Sequence, residues 1–198
     1  MKYFMNPNSI SAFEYVTILI SIILGLGITQ LLSSVAETFY NSKKVVFYFP
    51  HTIWVAVILF LHIQEWFIIY EMKDYPLWKL TTFLFIILYP ITLFIISKFL
   101  FPAGENEETI NLKNYYFDNF KKIFYLFCFC IILSVLFNIY FLDLPITQQL
   151  LLLIPFFIFL GMAVSGSKNE WLHKFIAILF LIVIIITTIA EDNRWYIK

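Results

Sequence analysis

Six apolar runs, each close to the length of a membrane-crossing helix, dominate the chain. A helix needs roughly 20 mostly apolar residues to cross about 30 Å of hydrocarbon. The runs cover about 13–37, 50–70, 78–100, 123–141, 146–164 and 171–190. The last is the cleanest and ends in LFLIVIIITTIA. All are continuous, whereas the strands of a membrane barrel alternate apolar and polar residues. In lipid every backbone amide needs an internal partner, and a helix supplies one within a single segment. The expected fold is all-α: a polytopic transmembrane helical bundle of six spans, a single domain over 1–198. Pro90 and Pro155 fall inside the third and fifth runs, as kinks that neighbouring helices can accommodate.

Composition points the same way. Hydrophobic residues make up 62% of the chain and charged residues 13%, against roughly half and a quarter in ordinary soluble domains. The lipid bilayer is the expected solvent and first partner. Net charge is zero, with 13 basic and 13 acidic side chains, which argues against nucleic acid as a partner. Arg194 is the only arginine, so guanidinium forks for gripping phosphate are nearly absent. Cys128 and Cys130 lie two apart in an apolar run and point to different helix faces; they read as small hydrophobes. Ser34-Val35-Ala36 fits a signal-peptide cleavage pattern, but the first run is long and holds Glu14 at its start, so it is expected to remain as a span.

The connections 41–48, 71–76, 142–145 and 165–170 leave no room for a folded soluble domain. The longest polar stretch is 102–122. Its first part, 104–108, is acidic and turn-like. Its second part places Leu112, Tyr115, Tyr116 and Phe120 near one helical face. Two readings stand side by side: an amphipathic helix in the headgroup region, or a frayed, Tyr-rich lead-in to the fourth span. With six spans, the face holding both termini carries Lys2, Lys73, Lys79, Arg194 and Lys198. The opposite face carries Lys43, Lys44, Lys98, Lys113, Lys121, Lys122, Lys168 and Lys174. Basic residues favour the cytoplasmic side, so both termini lean to the non-cytoplasmic side. A re-entrant fifth segment would flip the C-terminus.

No phosphate-binding glycine loop, nucleophile elbow, HExxH or CxxC pattern is present, and no cofactor is expected. What stands out is polar groups at membrane depth, which are costly and mark functional sites by default. On the second span His51, Trp54, His62 and Glu65 share one face, and the three-residue spacing lets His62 meet Glu65. Such a pair could relay protons, hold a polar ligand or simply fix packing. On the first span Glu14, Thr17, Ser21 and Gly25 share a face, and Gly27, Gln30, Ser34 and Glu37 another. Ser21-x-x-x-Gly25 is a small-xxx-small pair that permits close helix approach. His51 and His173 would lie at similar depth, as bis-histidine haem ligation requires, but a single pair is a thin signal.

The run FEYVTILISIILGLGITQLL, followed by FYFPHTIWVAVILFLHIQEWF, resembles the opening of small multi-pass membrane proteins found widely in bacteria. The likeness rests on Phe13-Glu14-Tyr15, Gly25-Leu26-Gly27 and the Pro50-His51, Trp54, His62 spacing. It implies a bacterial inner-membrane placement and no particular reaction. Heavy use of Phe, Ile, Tyr, Asn and Lys, whose codons are AT-rich, fits a bacterial source.

Three functions compete. The first is a conduit or ligand-binding membrane protein, as a homo-oligomer with Glu14, Gln30, His51, Trp54, His62 and Glu65 facing its interior. The second is a structural or sensory subunit that meets a protein partner through the 102–122 loop. The third is a membrane enzyme acting on a lipid or quinone with His62 and Glu65 as acid and base. It lacks a nucleophile or metal and is the weakest of the three.

Overall fold

A computed structural model describes residues 10–102 and 109–190 of the chain. Its long helices are α1 (Ala12–Tyr40), α2 (Phe49–Tyr70), the pair α3 (Leu80–Ile86) and α4 (Leu88–Phe99), α5 (Leu112–Tyr140), α6 (Ile146–Ser165) and α7 (Glu170–Ala190). Counting α3 and α4 as one span, Leu80–Phe99, six helical segments are long and apolar enough to cross a membrane. The protein is an all-α, multi-pass integral membrane protein.

Local chemistry sets the helix ends. Ser11 and Glu14 form a capping box at α1: Ser11 Oγ accepts from the Glu14 amide at 3.1 Å, and Glu14 Oε2 accepts from the Ser11 amide at 2.7 Å. Pro50 sits in the first turn of α2, where its missing N–H has no helical partner to lose. Helix α6 ends on Gly166, whose φ of 63° is the left-handed conformation glycine adopts freely. The third span is interrupted at Ile87. Pro90, three residues on, has no N–H to give the carbonyl of Ile86, and its ring crowds that carbonyl. Pro155 leaves α6 continuous.

Helix α5 departs from both expectations for the 102–122 stretch. It is one unbroken helix from Leu112, capped by Asn111, whose Oδ1 accepts from the amides of Lys113 and Asn114, both at 3.1 Å. Its 29 residues span about 43 Å, well beyond roughly 30 Å of hydrocarbon. The first turns therefore stand proud of the apolar layer as part of the span. Their inner side, Leu112, Tyr116, Phe117 and Phe120, is buried in the core. Their outer side is tied to α7 by the Lys113–Glu170 ion pair and to the α6–α7 turn by Lys168–Asp118 at 3.3 Å. The acidic part of the stretch, 104–108, lies outside the described residues. A two-residue parallel ladder, Val45–Val46 against Ile110–Asn111, joins the α1–α2 connection to the α4–α5 connection. Nothing in the sequence pattern announces it.

Helix α2 is the axle. It touches α1, α4, α5 and α7, and Trp54, fully buried, sits among Phe124, Phe127, Phe159 and Phe180 at centroid distances of 5.1–5.7 Å. By contrast, the outer faces of α6 and α7 leave large aliphatic and aromatic side chains exposed, as a lipid solvent allows. Truncating the axle should be felt globally. Trp54→Ala is expected to cost about 3–5 kcal/mol, read as a clear fall in melting temperature in detergent, with Trp54→Phe costing less. An unchanged melting point for Trp54→Ala would show that the ring cluster is not the core.

Candidate functional site

The polar face of α2 points into the bundle: His51 is 3% exposed, His62 0% and Glu65 7%. The three do different work. His51 follows Pro50 in the first turn, and its Nε2 lies 2.7 Å from the carbonyl oxygen of Leu100. A carbonyl only accepts, so Nε2 carries the proton. Leu100 caps the C-terminus of α4, where carbonyls lack helical donors. His51 supplies one and stands edge-on to Phe101.

His62 turns back along its own helix. Its Nδ1–H donates to the Ile58 carbonyl at 2.8 Å, and its Nε2 is buried without a hydrogen-bond partner. That edge of the ring lies against the bare backbone of Gly27 on α1. A Cβ added at Gly27 would fall 2.1 Å from Nε2 and 2.7 Å from Cδ2. Gly25 has nothing within 4 Å of such an atom. The close approach of α1 therefore uses Gly27, and the Ser21-x-x-x-Gly25 pair plays no part in it.

Glu65 takes a third course. No hydrogen bond joins it to His62, since the His62 ring is committed to Ile58 and α1. The two positions differ by about 60° around the helix, and that is enough to send Glu65 toward α4 and α5. There it lies within electrostatic reach of Tyr89 and Cys130. The ion pairs Lys113–Glu170, Lys168–Asp118 and Lys174–Glu170 all lie at the far face. No cationic side chain pairs with Glu65 among the described residues.

The remaining sequence candidates do not join this cluster. Glu14 is exposed and serves the capping box of α1. Gln30 is half-buried and bonds within its own helix, Nε2 to Ser34 Oγ at 3.0 Å. Trp54 packs in the ring cluster, and its Nε1 makes no hydrogen bond. His173 is saturated. Its Nε2–H donates to the Ser167 carbonyl and its Nδ1 accepts from the Tyr116 hydroxyl, both at 2.8 Å. Haem ligation by His51 and His173 would require breaking those bonds, so the residues do not fit that group. Beside them the buried Tyr48 hydroxyl is pushed up to about 12, by burial first and then by the Glu170 charge.

Sequence reasoning missed Tyr89, Ser134 and the Asn138–Gln149 bond (2.8 Å) that links α5 to α6. The signal was available: each is a polar side chain inside an apolar run. Among the described residues no three His, Cys, Asp or Glu side chains are grouped to hold a metal ion.

The Gly27–His62 contact gives a direct test. Gly27→Ala should destabilise the bundle by about 1–3 kcal/mol through overpacking. His62→Ala in the same chain should recover most of that loss in a double-mutant cycle followed by thermal melting. Purely additive losses would show that the two residues do not touch.

The chain matches no protein-family model, no curated protein and no solved structure with which it was compared.

Proposed function

We propose that the protein is a non-enzymatic, ligand-binding membrane protein whose ligand is a small cation, a proton or an alkali ion, held at Glu65. One observation carries the reading: a carboxyl group 7% exposed, deep in the bundle, with no ion pair among the described residues. An ionised carboxylate taken out of water costs several kcal/mol unless a positive charge meets it. The Tyr89 hydroxyl and the Cys130 thiol nearby offer neutral polar company and no positive charge. An ionisable side chain kept at such a place is a functional site by default.

The enclosed position of α2 favours a binding site over a pore shared on a symmetry axis, which would need this face on the outside of the bundle. The placement we propose is a bacterial inner membrane with both termini on the non-cytoplasmic side. It rests on the resemblance of the first 70 residues and on the excess of lysines on the opposite face.

A hydrophobic carbodiimide adds to protonated carboxyl groups in apolar surroundings, which makes the reading testable by mass spectrometry. One adduct on Glu65 is expected, absent in Glu65→Gln. Labelling that declines with rising pH and ignores sodium and potassium identifies the proton. Suppression by either ion at fixed pH identifies that ion. Cation binding also stabilises the folded chain, by about 2.7 kcal/mol at a hundredfold excess over Kd. If wild type and Glu65→Gln show the same adducts and the same dependence of melting on cations and pH, the proposal is wrong.

A further inference from the structure

At the face where α1 ends and α2 begins, a cleft of about 290 Å³ opens sideways between Val35, Phe39, Phe47, Val55 and Phe101. Three polar residues also line it, Thr38, His51 and Thr52, and each commits a donor to a backbone carbonyl. Thr38 Oγ1 donates to the Ser34 carbonyl at 2.7 Å, His51 Nε2 to Leu100 at 2.7 Å and Thr52 Oγ1 to Tyr48 at 3.5 Å. Phe39 and Phe47, with centroids 5.9 Å apart, form one wall, and both are exposed.

Between those two phenylalanines, in the stretch that joins the walls of the cleft, the chain makes a 3₁₀ turn, Ser42–Lys44, which carries two adjacent lysines. Lys43 and Lys44 are both exposed, and neither belongs to an ion pair among the described residues. The turn lies past the end of the first apolar run, at headgroup level. An apolar slot next in the chain to two positive charges, neither paired among the described residues, matches one kind of molecule in both its parts.

We infer that the cleft between the ends of α1 and α2 holds an acyl chain of an anionic phospholipid whose headgroup is taken by Lys43 and Lys44. The charge complementarity selects an anionic over a zwitterionic headgroup, and the apolar lining selects a chain over a soluble anion. The site shares no residue with the Glu65 cluster and does not depend on the role proposed for it.

Native mass spectrometry of the full chain, with phosphatidylglycerol or phosphatidylcholine of identical chains, tests the site. One phosphatidylglycerol per chain is expected, with phosphatidylcholine bound far more weakly. Lys43→Ala with Lys44→Ala should weaken phosphatidylglycerol by about thirtyfold, two lysines at about 1 kcal/mol each. Both positions are exposed, so that variant keeps its fold. Val55→Trp fills the slot and should abolish retention of the lipid. Equal binding of the two lipids overturns the inference, as does full phosphatidylglycerol binding by the double lysine variant. A chain that pairs with a second copy through the cleft, and becomes monomeric in Val55→Trp, overturns it too.

Discussion

Hydrocarbon offers no hydrogen bonds, so a polar atom brought into the bundle either finds its partner in the protein or goes unmet. The three histidines show how far that constraint shapes the fold. Each gives an N–H to a backbone carbonyl: His51 to Leu100, His62 to Ile58 and His173 to Ser167. His51 thereby fixes α2 to the end of α4. Tyr116, donating to His173, fixes α5 to the start of α7. Individual hydrogen bonds between membrane helices average well under 2 kcal/mol. Leaving a buried partner unmet costs more than making the bond gains. Their weight lies in excluding other helix arrangements.

Shape does the rest. Between helices in lipid no hydrophobic effect drives association, and contact quality decides. The chain meets this in two ways. Around Trp54 it packs four rings, edge-to-face or tilted, from three other helices, with Phe124 and Phe127 on α5, Phe159 on α6 and Phe180 on α7. At Gly27 it removes a side chain altogether so that an imidazole can lie on bare backbone. The abundance of phenylalanine, read from the sequence as a codon bias, is here used as packing material.

The spans were legible because length and hydropathy are one-dimensional properties. The boundaries 50–70 and 171–190 fall within a residue of Phe49–Tyr70 and Glu170–Ala190. The start of α5 was not legible, because Lys113, Asn114 and Asp118 dilute the hydropathy of turns whose other side is core. The inward polar face of α2 was readable as a stripe. Its internal pairing was not: a helical wheel places His62 and Glu65 together, but side-chain direction and the neighbouring helix decide what each touches. Likewise periodicity offers Gly25 and Gly27 without saying which one meets a ring. Glu14 could have been set aside from sequence alone, since Ser11-x-x-Glu14 before an apolar run is a capping box.

His62 and Glu65, three residues apart and equally hidden, carry unequal demands. A neutral imidazole spends its one proton on Ile58 and leaves a single lone pair unmet, a cost of about 1–3 kcal/mol. A carboxylate in the same place needs a whole positive charge nearby. The helix rises about 7.5 Å from Glu65 to its last residue, Tyr70, over whose ring the Lys73 ammonium lies, and a lysine at about that distance returns only about 2 kcal/mol at an effective dielectric of 20. That falls short of the several kcal/mol lost on leaving water. Lysines on the opposite face are farther off and count for less. The shortfall has to be met at the carboxyl itself, by something small enough to enter the packed interior, and it is this arithmetic that singles out Glu65 among the polar residues of the bundle.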